Sequence, residues 1–219
     1  AQHGTERRTG SRMNTSTSAL SAALAQSDLL HGRAELEAVI RTMGQRVDAA
    51  LNGERAVFLT VMNGALIFAG QLALAIRTDL EFDYVHATRY RGATSGKELT
   101  WLREPMLSLE GRVVLLVDDI LDEGHTLKEV RDDCYRRGAK KVYIASLCTK
   151  KHDRLIEGIA SDFNGVELPD RFVFGYGMDY YGQGRNLPGI YALKAGSAEY
   201  GIGSRSSAAW LRFTHPTQS

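Results

Sequence analysis

Two cysteines, four prolines and no long apolar run are what this 219-residue chain offers where other protein classes would offer many. Cys134 and Cys148 stand 14 residues apart and outside any CxxC pair. That spacing makes neither a disulfide framework nor a thiolate metal cage, and it suits two packed thiols in a reducing, cytoplasmic compartment. The longest apolar stretch, residues 65–76, is interrupted by Gly70 and Gln71. It falls short of the roughly 18–20 residues of a membrane span, so no membrane partner is expected.

An excess of one charge is also lacking. Lys and Arg number 27 against 26 Asp and Glu, which excludes a blanket basic surface for nucleic acid. A local anion site remains open, because backbone amides at a helix N-terminus bind phosphate without entering the charge count. Low-complexity tracts are absent, and 43% hydrophobic with 24% charged residues is a globular composition. At roughly 100–200 residues per domain, the length suits one domain with modest extras.

The ends differ from the middle. Residues 1–18 have few apolar side chains and are expected as a flexible tail, with Met13 a natural start within it. Arg7, Arg8 and Arg12 precede an Ala-rich stretch at 19–25 in the manner of a signal peptide, but Ser21 breaks that stretch and its hydrophobicity is too weak. Residues 195–219 are rich in Ser and Gly and form a second expected tail. Residues 19–194 are left as the domain.

Inside the domain, helical and strand patterns alternate. Leu36, Val39, Ile40, Met43, Val47 and Leu51 predict a helix over 33–51, stopped by Asn52-Gly53. Strands are expected at 56–61, 81–88, 112–117 and 141–147, with helices at 65–76 and 126–137. Shorter strands at 172–176 and 190–193 extend the sheet or form an accessory lobe. Residues 89–97 are polar and contain glycine, as a mobile loop does. The alternation implies an α/β fold with a mostly parallel sheet covered on both faces.

The densest signal lies at one strand end. Val113-Val114-Leu115-Leu116-Val117 has no polar alternation, as in a central parallel strand buried on both faces. It runs into Asp118-Asp119-Ile120-Leu121-Asp122 and then Glu123-Gly124-His125-Thr126, a turn opening into a helix. Such strands deliver residues to the carboxyl edge of the sheet, where α/β ligands bind. Two adjacent carboxylates there need hydroxyls, a metal or other donors, and in a strict strand they face opposite sides, so one is expected past the strand end. The turn's consecutive N–H groups suit a phosphate, Gly124 suits a close approach, and Thr126 suits a helix cap.

This stretch closely resembles the phosphoribosyl-pyrophosphate signature of the purine phosphoribosyltransferases, in particular the bacterial hypoxanthine-guanine type. The resemblance covers roughly residues 33–194 and implies the type I phosphoribosyltransferase fold with a small hood lobe. It implies Mg²⁺-dependent purine salvage: a 6-oxopurine, hypoxanthine or guanine, takes the phosphoribosyl group of phosphoribosyl pyrophosphate and pyrophosphate leaves. By resemblance, Asp118 and Asp119 accept from the ribose hydroxyls, and the amides of Glu123, Gly124, His125 and Thr126 hold the 5-phosphate. The side chain of Glu123 is expected to point outward, and His125 to contribute backbone alone.

Asp122 is the implied proton acceptor for the purine N7. Met62, Asn63 and Gly64 look like the pyrophosphate loop, with Arg185 as a further pyrophosphate contact. Asn63 stands where several relatives carry lysine, which favours a backbone contact through an unusual Met62–Asn63 peptide. Lys150 is the implied partner of the 6-oxo group. Phe172 and Val173 line the base, Asp179 borders base and metal, and Asp118 is the second expected metal residue. Arg89 and Tyr90 begin a loop expected to close over the site. Relatives associate as homodimers or homotetramers, and the same is expected here.

The rival readings are weaker. Gly92-Ala93-Thr94-Ser95-Gly96-Lys97-Glu98 is one residue short of a P-loop and has Glu98 where a hydroxyl is required. Gly175-Tyr176-Gly177 lacks the third glycine of a dinucleotide fingerprint, and no HExxH suggests zinc. A regulator on the same scaffold would need a basic stripe that the chain lacks, and would not need Lys150, Phe172 and Asp179. A xanthine-preferring enzyme is the alternative within the same chemistry.

Overall fold

Apolar side chains on both faces of Ala56–Met62 (β2) and Val113–Leu121 (β5) require covering layers above and below, and both layers are present. A computed structural model describes residues 15–89 and 99–197. In chain order the other elements are α1 Thr15–Ala25, β1 Ser27–His31, α2 Arg33–Leu51, α3 Leu66–Ala75, β3 Leu80–Arg89, β4 Leu99–Arg103, α4 His125–Arg136, β6 Lys141–Lys150, β7 Phe163–Leu168, β8 Val173–Phe174 and β9 Ile190–Leu193. The main sheet has the order β4-β3-β2-β5-β6-β7, parallel throughout except for the edge strand β4.

The period-2 alternation of the strands sorts their side chains into two cores. Phe58, Val113, Leu115 and Val117 pack with Leu36, Ile40, Met43 and Val47 of α2 and with Phe68 and Leu72 of α3. Val57, Leu59, Val114 and Leu116 face the other way, onto Leu127, Val130 and Cys134 of α4. Both cysteines are buried as free thiols, and burial pushes Cys134 up to about 12. The helix α2 forms over the expected span because its apolar residues fall on one face. It stops at Asn52, whose left-handed backbone (φ 48°) closes the last turn through an N–H bond to the Asp48 carbonyl.

The strand order reverses between β2 and β5. The chain leaves β2 toward β3 on one side, and β5 continues to β6 and β7 on the other. Loops departing in opposite directions open a crevice at the carboxyl ends of these two strands. Met62–Asn63 ends one of them and the acids Asp118 to Asp122 end the other.

A second, three-stranded sheet has the order β1-β9-β8, all antiparallel. Phe174, Tyr180 and Leu193 form its small core with Ala23 of α1. The segments at 172–176 and 190–193 therefore make an accessory lobe rather than widening the main sheet. The Ala-rich stretch at 19–25 is part of the helix packed on this lobe. Helix α1 starts at Thr15, inside the span that composition assigns to a tail. Residues 1–14, the loop from Tyr90 to Glu98, and 198–219 lie outside the described residues.

Asp83 in β3 fastens the antiparallel edge. It accepts from the backbone N–H groups of Tyr84, Met106 and Leu107 at 2.7–2.9 Å and from Arg103 of β4 at 2.8 Å. Burial pushes this carboxyl up, but those donors outweigh burial and hold it below the ordinary carboxylate range. Asp83→Ala is expected to destabilise the protein by about 3 kcal/mol in urea unfolding at neutral pH, since it takes the carboxylate partner from Arg103 and the acceptor from three N–H groups. A depressed folded pKa means stability that is present above the unfolded value and lost as pH falls through the folded one. The gap between variant and parent should therefore shrink below about pH 4, near the unfolded Asp value.

Candidate active site

Strand β5 continues through both acids to Leu121, so neither Asp118 nor Asp119 lies past its end. The expected separation onto opposite faces is relieved because the pleat slips at this point. Ile120 packs on the same core as Val117, three residues earlier, which strict alternation forbids. The two carboxyls thereby come together, and the Asp119 N–H donates to Asp118 Oδ1 at 2.9 Å. Burial, and then the charge of Asp119, push Asp118 well above the usual carboxylate range. Burial also raises Asp119, against the opposing pull of the Arg185 guanidinium.

Asp119 sits against the loop that leaves β2. A Cβ placed on Gly64 would stand 2.0 Å from Asp119 Oδ2, so only glycine allows this approach. The Met62–Asn63 peptide in the same loop is cis, the unusual bond anticipated at that position. From the hood side, Arg185 donates to the Gly177 carbonyl at 2.7 Å and pairs with Asp179 at 2.9 Å. Asp179 also accepts the Gly182 N–H at 2.7 Å. Asp118, Asp119, Gly64, Asp179 and Arg185 thus gather at one place.

Beyond Leu121 the chain turns at Glu123 and Gly124 into α4. Gly124, left-handed at φ 84°, is the N-cap, and α4 begins at His125. Thr126 is consequently inside the first turn and does not cap the helix. A helix start of this kind carries partial positive charge from its first N–H groups, which suits an anion. Glu123 is turned to Arg154 and to His125, 3.7 Å from each.

Asp122 meets the end of β6. Leu121 is in register with Thr149, so the next residues, Asp122 and Lys150, emerge side by side. Lys150 Nζ donates to Asp122 Oδ2 at 3.1 Å. His152, which the sequence reading passed over, reaches the other oxygen: its Nε2 lies 2.6 Å from Asp122 Oδ1. Within the run Lys150-Lys151-His152-Asp153-Arg154 it reads as one more residue of a solvated charged face. Its only sequence signal is its place just after a strand next to the acid-bearing one.

Phe172 is half-buried, stacked on Tyr181 at 5.9 Å and 18° and met edge-on by Tyr180 at 5.7 Å. Both tyrosines are additions to the expected base site. Val173 is in β8, paired with Ala192. Arg89 ends β3, and Tyr90 lies outside the described residues. Elsewhere, a cleft of about 590 Å³ lined by Arg131, Tyr135, Ile144, Ile159 and Asp162 lies away from the functional side chains.

Among the described residues no group of three His, Cys, Asp or Glu side chains is placed to hold a metal ion by itself. Asp118, buried, and Asp119, half-buried, beside Asp179 do fit a hard divalent cation held by one or two carboxylates, with the remaining oxygens from phosphate and water. The donor chemistry thus suits Mg²⁺ bound together with a phosphorylated ligand.

The phosphoribosyl transferase domain model matches residues 25–181. The hypoxanthine-guanine phosphoribosyltransferase of Streptococcus pneumoniae is 33% identical over 161 residues, 73% of this chain and 89% of that one. The bifunctional protein TilS/HprT of Listeria innocua is 37% identical over 161 residues, which are 25% of that longer chain. A crystal structure of a hypoxanthine phosphoribosyltransferase from Staphylococcus aureus superposes with a TM-score of 0.72 at 29% identity, over 76% of this chain and 91% of that one. On these similarities the chain belongs to the phosphoribosyltransferase family, among its hypoxanthine-guanine members.

Proposed function

We propose that the protein transfers the 5-phosphoribosyl group of phosphoribosyl pyrophosphate to hypoxanthine or guanine, forming the nucleotide and releasing pyrophosphate. The observation that carries this reading is the 3.1 Å contact between Lys150 and Asp122. A 6-oxopurine presents its O6 acceptor and its N7–H donor side by side on one edge. An ammonium next to a carboxylate at hydrogen-bonding distance is the complement of that edge. Adenine would set an amino donor against the lysine.

The remaining groups follow the charge of the reaction. Positive charge develops on the ribose ring and negative charge on the leaving pyrophosphate. Asp118 and Asp119 accept from the ribose hydroxyls and lie on the cationic side. The amides from Glu123 to Thr126 at the start of α4 hold the 5-phosphate. Amides of the Met62-Asn63-Gly64 loop and the Arg185 guanidinium face the pyrophosphate. The base stacks on the face of Phe172 opposite Tyr181, beside Val173, and Asp122 takes its N7 proton. Asp179 and Asp118, with Asp119 beside them, would hold Mg²⁺. When bound, the cation supplies charge neutralisation to the pyrophosphate as it leaves.

A base panel tests the reading. With Mg²⁺ and phosphoribosyl pyrophosphate, hypoxanthine and guanine should yield nucleotide, and adenine should yield at least about 100-fold less, the penalty for a mismatched buried hydrogen bond. Xanthine as the best substrate would move the assignment within the 6-oxopurines. Absence of nucleotide from every base would end it.

A further inference from the structure

We propose that His152 is a positioning residue that fixes the Asp122 carboxylate for its encounter with the base. This rests on the phosphoribosyl transfer proposed above. The two oxygens of Asp122 have different partners: Oδ2 meets Lys150 at 3.1 Å and Oδ1 meets His152 at 2.6 Å. When a 6-oxopurine engages Lys150 through O6 and presents N7–H to Asp122, Oδ2 is the oxygen that turns to the base. The lysine contact is then shared with the substrate. His152 on Oδ1 is the tether that stays.

The ring is placed for this role from three sides. The His152 side chain is 3% exposed, so it acts through Asp122 rather than on substrate. The backbone N–H of Arg154 donates to Nδ1 at 3.1 Å. A ring nitrogen that accepts carries no proton, so the proton sits on Nε2 and points at Asp122. The loop is itself anchored, because Arg154 grips Asp170 with a two-pronged guanidinium fork at 2.8 and 2.7 Å. The Ile156 N–H also donates to the Glu123 carbonyl at 3.0 Å, tying the loop to the turn that follows Asp122. A carboxylate released from Oδ1 can rotate, and misplacement of about 1 Å at a reacting group costs up to about 100-fold in rate.

The test uses the full chain and three variants. His152→Ala and His152→Asn should lower kcat by about 10- to 100-fold, with KM for phosphoribosyl pyrophosphate changed less than about threefold, because the sugar-phosphate groups are untouched. Gln places an amide donor near the position of Nε2, whereas Asn is too short to reach it. His152→Gln should therefore recover kcat to within about fivefold of the parent. Equal losses in Gln and Asn, or full activity in all three, would overturn the role. Should Ala fail to fold, the Gln–Asn contrast decides, together with ¹⁵N shifts of the parent imidazole. Those shifts should report a protonated Nε2 and a bare Nδ1, and the opposite tautomer would overturn the proposal. A parent protein that forms no nucleotide from any base removes the reaction itself. An active parent with indifferent His152 variants removes only this role.

Discussion

Asp122→Asn is expected to lower kcat by at least about 100-fold while leaving phosphoribosyl pyrophosphate binding within a few-fold of the parent. The amide keeps the shape of the side chain, and its oxygen can still accept from Lys150 or His152. It cannot take a proton from N7, so the loss falls on the chemical step. The groups assigned to the sugar phosphate come from the start of α4, from Gly64 and from Arg185, and the substitution touches none of them. Steady-state kinetics set against calorimetric titration of phosphoribosyl pyrophosphate separates the two quantities. If binding disappears together with turnover, Asp122 holds the turn in shape rather than reacting.

Gly64→Ala should show an unusual split between activity and stability. The new methyl carbon would begin 2.0 Å from Asp119 Oδ2, and one of the two must move. The atom that yields is the tip of a rotatable side chain, so the fold loses little and the melting temperature should stay within a few degrees of the parent. The site loses much more, because the displaced carboxylate belongs to the cluster with Asp118, Asp179 and Arg185. A drop of about 100-fold in kcat/KM is expected from misplacing such a group. Retained kcat/KM would mean that Asp119 can leave its position without consequence. A collapse in melting temperature would mean that the contact is part of the core.

Much of this arrangement was legible in the amino-acid order. The unalternating run from Val113 to Val117 identified a strand covered on both sides, and the acids after it identified the edge where ligands bind. The face of α2 and the turn into α4 were readable for similar reasons, since each has a periodic apolar pattern with a stop or start signal. The strands β4 and β7 were not, because they are the edges of the main sheet. Edge strands are short and half-exposed, and β7 carries Asn164 and Gly165 in place of β-branched residues. The pairing of β1 with β9 was hidden for another reason: Ser-Asp-Leu-Leu-His has no pattern until a distant partner supplies its register.

The site shows the same division. Asp118, Asp119, Asp122, Lys150, Asp179 and Arg185 were visible through their place in a recognisable order. The closeness of Asp118 to Asp119 was not, because it depends on a slip in the pleat that no residue type announces. His152 was hidden by its charged neighbours. Only the register of β5 against β6 brings it to Asp122.

The hood sheet sets an order of events during synthesis. Among the described residues β1 has β9 as its only neighbour in that sheet, with Ser27 opposite Leu193. A nascent chain that has emerged through β7 already has every described strand of the main sheet and the turn proposed for the 5-phosphate. Its β1 still lacks a partner, and Phe172 and Asp179 lack their support. Non-local pairing of this kind comes late, because the intervening chain must be closed before the contact is gained. The turn proposed for the 5-phosphate and the Lys150–Asp122 pair proposed for the purine edge therefore leave the ribosome before Phe172, the face proposed for stacking, and before β9, which completes the described hood sheet.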